Sequence, residues 1–224
     1  ARQTAAGLGL VAPQRIGDPP QSEHPEFNAL LGVGHPGPGP VAAPAGSGST
    51  PPPGRGATIE PVFVLGVDPG LSRCGYCVVH ADGGAPRAAA LGVLRTDPQL
   101  PVPQRLAELA RDFRALLDEF SPAAVAVERV LFQVNVRTAM GVGQASGVLM
   151  AQAAERGMDV VEYSPNQVKD AVAGHGAADK QQVQRMVQIL LSLPAPPHPP
   201  DAADAAAVAL THVAMHPHGA GVTR

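Results

Sequence analysis

The spacing of apolar residues changes several times along this chain, and each change marks an element. Val62 to Val67 is a short apolar, β-branched run closed by Asp68-Pro69-Gly70, the pattern of a buried strand ending in a turn. Gly75 to His80 and Ala88 to Arg95 are two more strand-like runs separated by Asp82-Gly83-Gly84, so a three-strand antiparallel meander is predicted. Pro101 and Pro103 then introduce a helix. Its apolar residues Leu106, Leu109, Ala110, Phe113, Leu117 and Phe120 recur every three or four positions, and Arg105, Glu108, Arg111, Asp112 and Arg114 fill the other face. Ala123 to Val127 is continuously apolar after Ser121-Pro122, as expected of a fourth strand buried on both faces, reached by a helical crossover and ending at Glu128.

A second helix is predicted from about Val136 to Arg156, rich in small residues (Ala139, Gly141, Gly143, Ala145, Ser146, Gly147), with a fifth strand over Val160 to Tyr163. Ser164-Pro165-Asn166-Gln167 has the form of a capping box with proline at the first helical position, and Gly174-His175-Gly176 parts that short helix from another over Lys180 to Leu191. After a proline-rich loop at 194–200, a final helix runs from about Asp201 to His216. This order predicts an α/β fold, a mixed sheet with helices on its faces.

Before Thr58 no such periodicity exists. Residues 1–57 hold 11 Pro and 11 Gly, with three Arg against three acids, and cannot bury enough apolar surface to offset chain entropy. They are expected to be a disordered arm with no catalytic contribution, followed by one folded domain over 58–218 and a flexible tail over 219–224. No Met precedes Met140. No apolar run approaches the roughly 18 to 20 residues of a membrane span, and the N-terminus lacks the zones of a secretory signal, so a soluble, cytoplasmic protein is expected. The only cysteines, Cys74 and Cys77, are too few for a disulfide framework or a zinc site and are read as small strand residues. A formal net charge of −3 excludes a protein that coats nucleic acid by bulk electrostatics, so any such partner needs a local basic patch.

Acidic residues close several of these elements. Asp68 ends the first strand and Glu128 the fourth, while Asp201 and Asp204 lie in the first turn of the last helix. Alone, each has a structural explanation as a turn residue or a complement to the helix dipole. Together they mean more, because a crossover sets the first and fourth strands side by side and residues three apart share a helix face. Four gathered carboxylates repel unless a cation neutralises them, and all-oxygen ligation selects hard ions such as Mg²⁺ or Mn²⁺. Such a set suits two-metal phosphodiester hydrolysis.

Val64-Leu-Gly-Val-Asp-Pro-Gly-Leu-Ser-Arg-Cys-Gly-Tyr76, Ala126-Val-Glu-Arg-Val130, Gly143-Gln-Ala-Ser-Gly147, Ser164-Pro-Asn-Gln-Val-Lys169, Gly176-Ala-Ala-Asp-Lys180 and the stretch from Asp201 to Leu210 occur in this order. Over about Val62 to His216 they resemble the RuvC-type crossover junction endodeoxyribonucleases, the Holliday-junction resolvases. The resemblance implies a ribonuclease-H-like mixed five-stranded sheet with helices on both faces. It implies symmetric, metal-dependent nicking of two strands in DNA recombination and repair, leaving 5′-phosphate and 3′-hydroxyl ends. Asp68, Glu128, Asp201 and Asp204 would hold the metal, two Mg²⁺ per site with Mn²⁺ as a substitute. Some relatives carry His at the place of Asp201, and His198, three residues earlier, is read here as a loop histidine.

The resemblance also matches Lys169 and Lys180 to lysines that approach the scissile phosphate. The chain agrees independently: it has 14 Arg and only these two Lys. Arg129 and Arg137 are expected DNA-backbone contacts. The family's aromatic wedge after the second catalytic acid falls at Leu131 or Phe132, with Phe132 the preferred base contact. A twofold homodimer is implied, with the helix from about Val136 either supplying the interface or packing only on its own sheet, and so is coupling to the RuvA–RuvB branch-migration machinery. Three other readings remain: an ATP-binding domain of the actin and sugar-kinase type built on Asp68-Pro-Gly, a module that binds junctions without cutting, and a nuclease of the same fold acting on other substrates.

Overall fold

A computed structural model describes residues 62–82, 84–130 and 136–216, the side chains of 136–138 excepted. Strands β1 (Phe63–Asp68), β2 (Arg73–His80) and β3 (Arg87–Arg95) form the expected antiparallel meander, with Asp68 opposite Gly75 and Arg73 opposite Arg95. Helix α1 (Val102–Phe120) then carries the chain across to β4 (Ala124–Glu128), which pairs parallel with β1 and sets Val67 beside Val127. Helix α2 (Val136–Glu155) leads to β5 (Asp159–Tyr163), parallel to β4, and the sheet order is β3-β2-β1-β4-β5. Helices α3 (Pro165–Ala173), α4 (Lys180–Leu190) and α5 (Pro200–Met215) complete the described residues.

Alternation along the strands divides the side chains between two covered faces. Leu65, Val67, Cys74, Tyr76, Val78, Val125 and Val127 form a core with Leu109, Phe113 and Leu117 of α1 and Ala145, Leu149 and Ala153 of α2. On the opposite face α5 lies against β1 and β2, with α3 and α4 packed against it. That helix is buried nearly all round from Ala202 to His212, and alanine is its main core residue because it runs so close to the sheet. A Cβ at Gly66 would stand 2.2 Å from the Ala205 carbonyl oxygen, and one at Gly75 would stand 2.0 Å from that of Asp201.

Element ends follow local chemistry. Ser164 and Gln167 form the expected reciprocal capping box, and α3 stops at Gly174 in a left-handed conformation (φ 80°). A second box, Asp179 with Gln182, starts α4 and had no counterpart in the expectation. Among the described residues no helix is long and apolar enough to cross a membrane. The expected arm over 1–57, the tail over 219–224, Leu131 and Phe132 lie outside the described residues, as does the Arg137 side chain.

Candidate active site

The parallel β1–β4 pair ends in two acids at the same level. Because Val67 and Val127 are register partners, Asp68 and Glu128 follow side by side, on the face that α5 covers. Both are half-buried. Burial pushes the Asp68 carboxyl up to about 8, reinforced by the charges of Glu128, Asp204 and Asp201 and only partly relieved by Lys180. Burial and the Asp204 charge also raise Glu128, opposed by Lys180, a hydrogen bond with Asp68, and Lys169. Each carboxyl is thereby held back from ionising, and added positive charge at this corner would relieve both.

Helix α5 brings in the other two acids. Gly75 admits the Asp201 backbone against the start of β2, and Arg73, two residues earlier on the same strand face, forms an ion pair with the Asp201 carboxylate. Asp204, one turn further along, accepts a hydrogen bond of 2.6 Å from Lys180 Nζ. Lys180 is the first residue of α4 and is placed there by the Asp179 cap. Burial alone would lower its pKa, but the bond to Asp204 and the charges of Asp204, Asp68 and Asp201 outweigh this and raise it. Lys169, on α3, sits near enough to Glu128 to favour its ionised form.

All four acids and both lysines named from the sequence therefore converge on one end of β1 and β4. Among the described residues no group of three or more His, Cys, Asp or Glu side chains already stands in metal-ligating geometry, since Asp201 and Asp204 point to Arg73 and Lys180. The donor set nevertheless fits a hard divalent ion: carboxylate oxygens only, two of them half-buried and short of positive charge. Arg129 is exposed just beyond Glu128, and its backbone N–H is tied to the Tyr163 carbonyl at 2.8 Å. His198 is exposed in the loop before α5 and takes no part in this cluster.

Arg73 is the residue sequence reasoning missed. It occupies the first position of a strand, where a charge reads as an edge residue, and its partner lies 128 positions away. Cys74 and Cys77, by contrast, are what the sequence suggested. Both are free and buried, and burial pushes both thiols up to about 12, so neither is a nucleophile at neutral pH.

The family model described as "Crossover junction endodeoxyribonuclease RuvC" matches residues 64–212. Crossover junction endodeoxyribonucleases RuvC from Leifsonia xyli subsp. xyli and Natranaerobius thermophilus are 51% and 48% identical, each over 67% of this chain and over 73% and 94% of their own lengths. The structure of T. thermophilus RuvC in complex with a Holliday junction substrate superposes with a TM-score of 0.66 at 39% identity, covering 70% of this chain and 95% of that one. The yeast mitochondrial Holliday junction resolvase Ydc2, 17% identical with a TM-score of 0.50 over 70% of this chain and 82% of its own, shares the fold.

Proposed function

This chain belongs to the RuvC family of crossover junction endodeoxyribonucleases, nucleases that resolve Holliday junctions, and on that premise we propose that Asp68, Glu128, Asp201 and Asp204 are its catalytic carboxylates. The observation that carries the assignment is the Asp68–Glu128 pair. Two acids at adjacent strand ends, half-buried and with raised pKa values, destabilise the fold locally unless they serve a cation. Two Mg²⁺ per site, with Mn²⁺ as a substitute, is the loading proposed. When bound, the metal supplies an activated water and neutralises charge on the leaving oxygen.

The chain's own groups do the rest. Asp68 and Glu128 sit on neighbouring strands of a buried sheet, so their oxygens are held at a fixed spacing with little entropy left to lose. Asp201 and Asp204 project from a helix wedged against that sheet by Gly66 and Gly75. Lys180, released from Asp204, presents a compact ammonium to the scissile phosphate, and Lys169 does so beside Glu128. Arg129, Arg137 and the wedge at Leu131 or Phe132 are proposed DNA contacts. Residues 1–57 are proposed to contribute nothing to cleavage.

A homodimer is part of the same proposal, since symmetric nicks need two equivalent sites. Helix α2 supports it. Ala145, Leu149 and Ala153 pack on the sheet, whereas a Cβ at Gly143 or Gly147 would meet nothing within 4 Å and Met140 is 58% exposed. The small-residue face is thus only partly used within the chain. Coupling to RuvA–RuvB is proposed on family membership alone.

The test is cleavage of a mobile four-way DNA junction beside linear duplex and RNA–DNA hybrid, with Mg²⁺ or EDTA, by the native protein and Asp68→Asn. Paired symmetric nicks in the junction alone, abolished by EDTA and by the substitution, are expected. Junction binding without nicks would assign a binding module, and preference for the hybrid would assign another nuclease of this fold. Family membership sets aside the ATP-binding reading.

A further inference from the structure

Arg73 stands at the junction of two charge systems. On one side it neutralises Asp201. On the other, its directly opposed partner across the β2–β3 ladder is Arg95, and opposed residues of an antiparallel pair point to the same face. Two guanidinium groups so placed repel. Arg95 is exposed and pairs with no carboxylate among the described residues, while the Arg73 side chain is itself 43% exposed. The Asp201 carboxylate is therefore what holds Arg73 inward.

Resting on the reading of Asp201 as a metal ligand, we propose that Arg73 is a displaceable counter-ion. It occupies Asp201 until a divalent cation claims that carboxylate, and is then released beside Arg95 to hold a DNA backbone phosphate next to the cleavage site. The argument is one of competition. A carboxylate oxygen paired with a guanidinium is not free for a metal, so the pair opposes loading, and loading frees the guanidinium. Arg suits the second role because its planar fork matches phosphate oxygens, and the Arg95 charge that disfavours the inward position favours one shared with an anion. Metal loading and grip on the substrate strand thereby become coupled through one side chain.

The experiment titrates the metal-free full chain with Mn²⁺, following free Mn²⁺ by electron paramagnetic resonance, for the native protein, Arg73→Gln, Arg73→Lys and Asp201→Asn. Losing an exposed ion-pair partner should tighten Mn²⁺ binding about two- to fivefold in Arg73→Gln, with Arg73→Lys closer to native. Junction binding is then measured against salt in Ca²⁺ and in EDTA. Arg73→Gln should lower the salt slope by about one in Ca²⁺ and leave it near native in EDTA, where the side chain is occupied by Asp201. Unchanged or weaker Mn²⁺ binding in Arg73→Gln would overturn the proposal, as would an equal slope change in both conditions. Asp201→Asn separates the failures: if it weakens Mn²⁺ binding while Arg73→Gln does not strengthen it, only the counter-ion role falls. If Asp201→Asn has no effect, the ligand assignment falls with it.

Discussion

His212 shows how a single buried side chain ties stability to pH. The residue is 3% exposed, its Nδ1 lies 3.0 Å from the Tyr163 hydroxyl, and its ring stacks on that of His216 at 4.3 Å between centroids. Burial, then the charge of His216, lowers its pKa to about 4, against a weak opposing pull from Asp159. The unfolded chain therefore takes up this proton first as pH falls, so the stability contribution is complete above about 6.5 and is lost on the way down to 4. The expected loss is about 2 kcal/mol by pH 5. Asp68 acts with the opposite sign: a carboxyl raised in the fold costs stability as pH climbs from its ordinary 3.8 to its folded value of about 8, because the unfolded chain gives up the proton first. Urea unfolding of the native protein and His212→Gln at pH 7.5 and pH 5 isolates the histidine: the native protein should lose about 2 kcal/mol more than the variant. Equal losses would refute the assignment. His212 was not legible in the sequence, where a histidine in the last turn of an alanine-rich helix resembles a solvated dipole complement.

At the scale of elements, α5 carries two of the four acids proposed as catalytic, and its distance from the sheet is set by missing side chains. A methyl group at Gly66 would collide with the Ala205 oxygen at 2.2 Å and the Ala209 nitrogen at 2.6 Å, both backbone atoms of α5, so the helix itself must move. Gly66→Ala is expected to cost about 1 to 3 kcal/mol, as overpacking does. Cleavage should fall further than the loss of folded protein explains, because Asp201 and Asp204 ride on the displaced helix. Gly141→Ala is the control: its nearest neighbour is the Leu71 side chain at 3.5 Å, an ordinary contact, so stability should be unchanged or slightly higher. Denaturant unfolding and junction cleavage by the same samples check both. Element boundaries were readable where chemistry is local, as at the Ser164 cap and the Gly174 stop, and also in the apolar repeats of α1. The closeness of α5 to β1 was not, because Gly66 and Ala205 are 139 positions apart in the chain and each looks unremarkable in its own segment.

For the molecule as a whole, symmetric cutting requires a second site, and the open face of α2 is where a second copy is proposed to pack. Gly147→Glu places a charge on that face without touching the sheet contacts of Ala145 and Leu149. Sedimentation should shift from dimer to monomer, and paired nicks should give way to slower single nicks while the circular dichroism spectrum is retained. A native dimer in the variant would move the interface elsewhere.

The order of elements and the α/β class were already readable along the chain, which also singled out the four acids and two lysines that the fold gathers. Those follow from apolar periodicity, from turn and cap residues, and from motifs whose members lie close together in the chain. How these charges are shared emerges only once the chain has folded. Asp68 is raised to about 8 because folding buries it and then sets it beside Glu128, and Asp201 is neutralised by an arginine 128 residues away. Electrostatic energies depend on separation and burial, which appear only when the sheet and α5 close on one another.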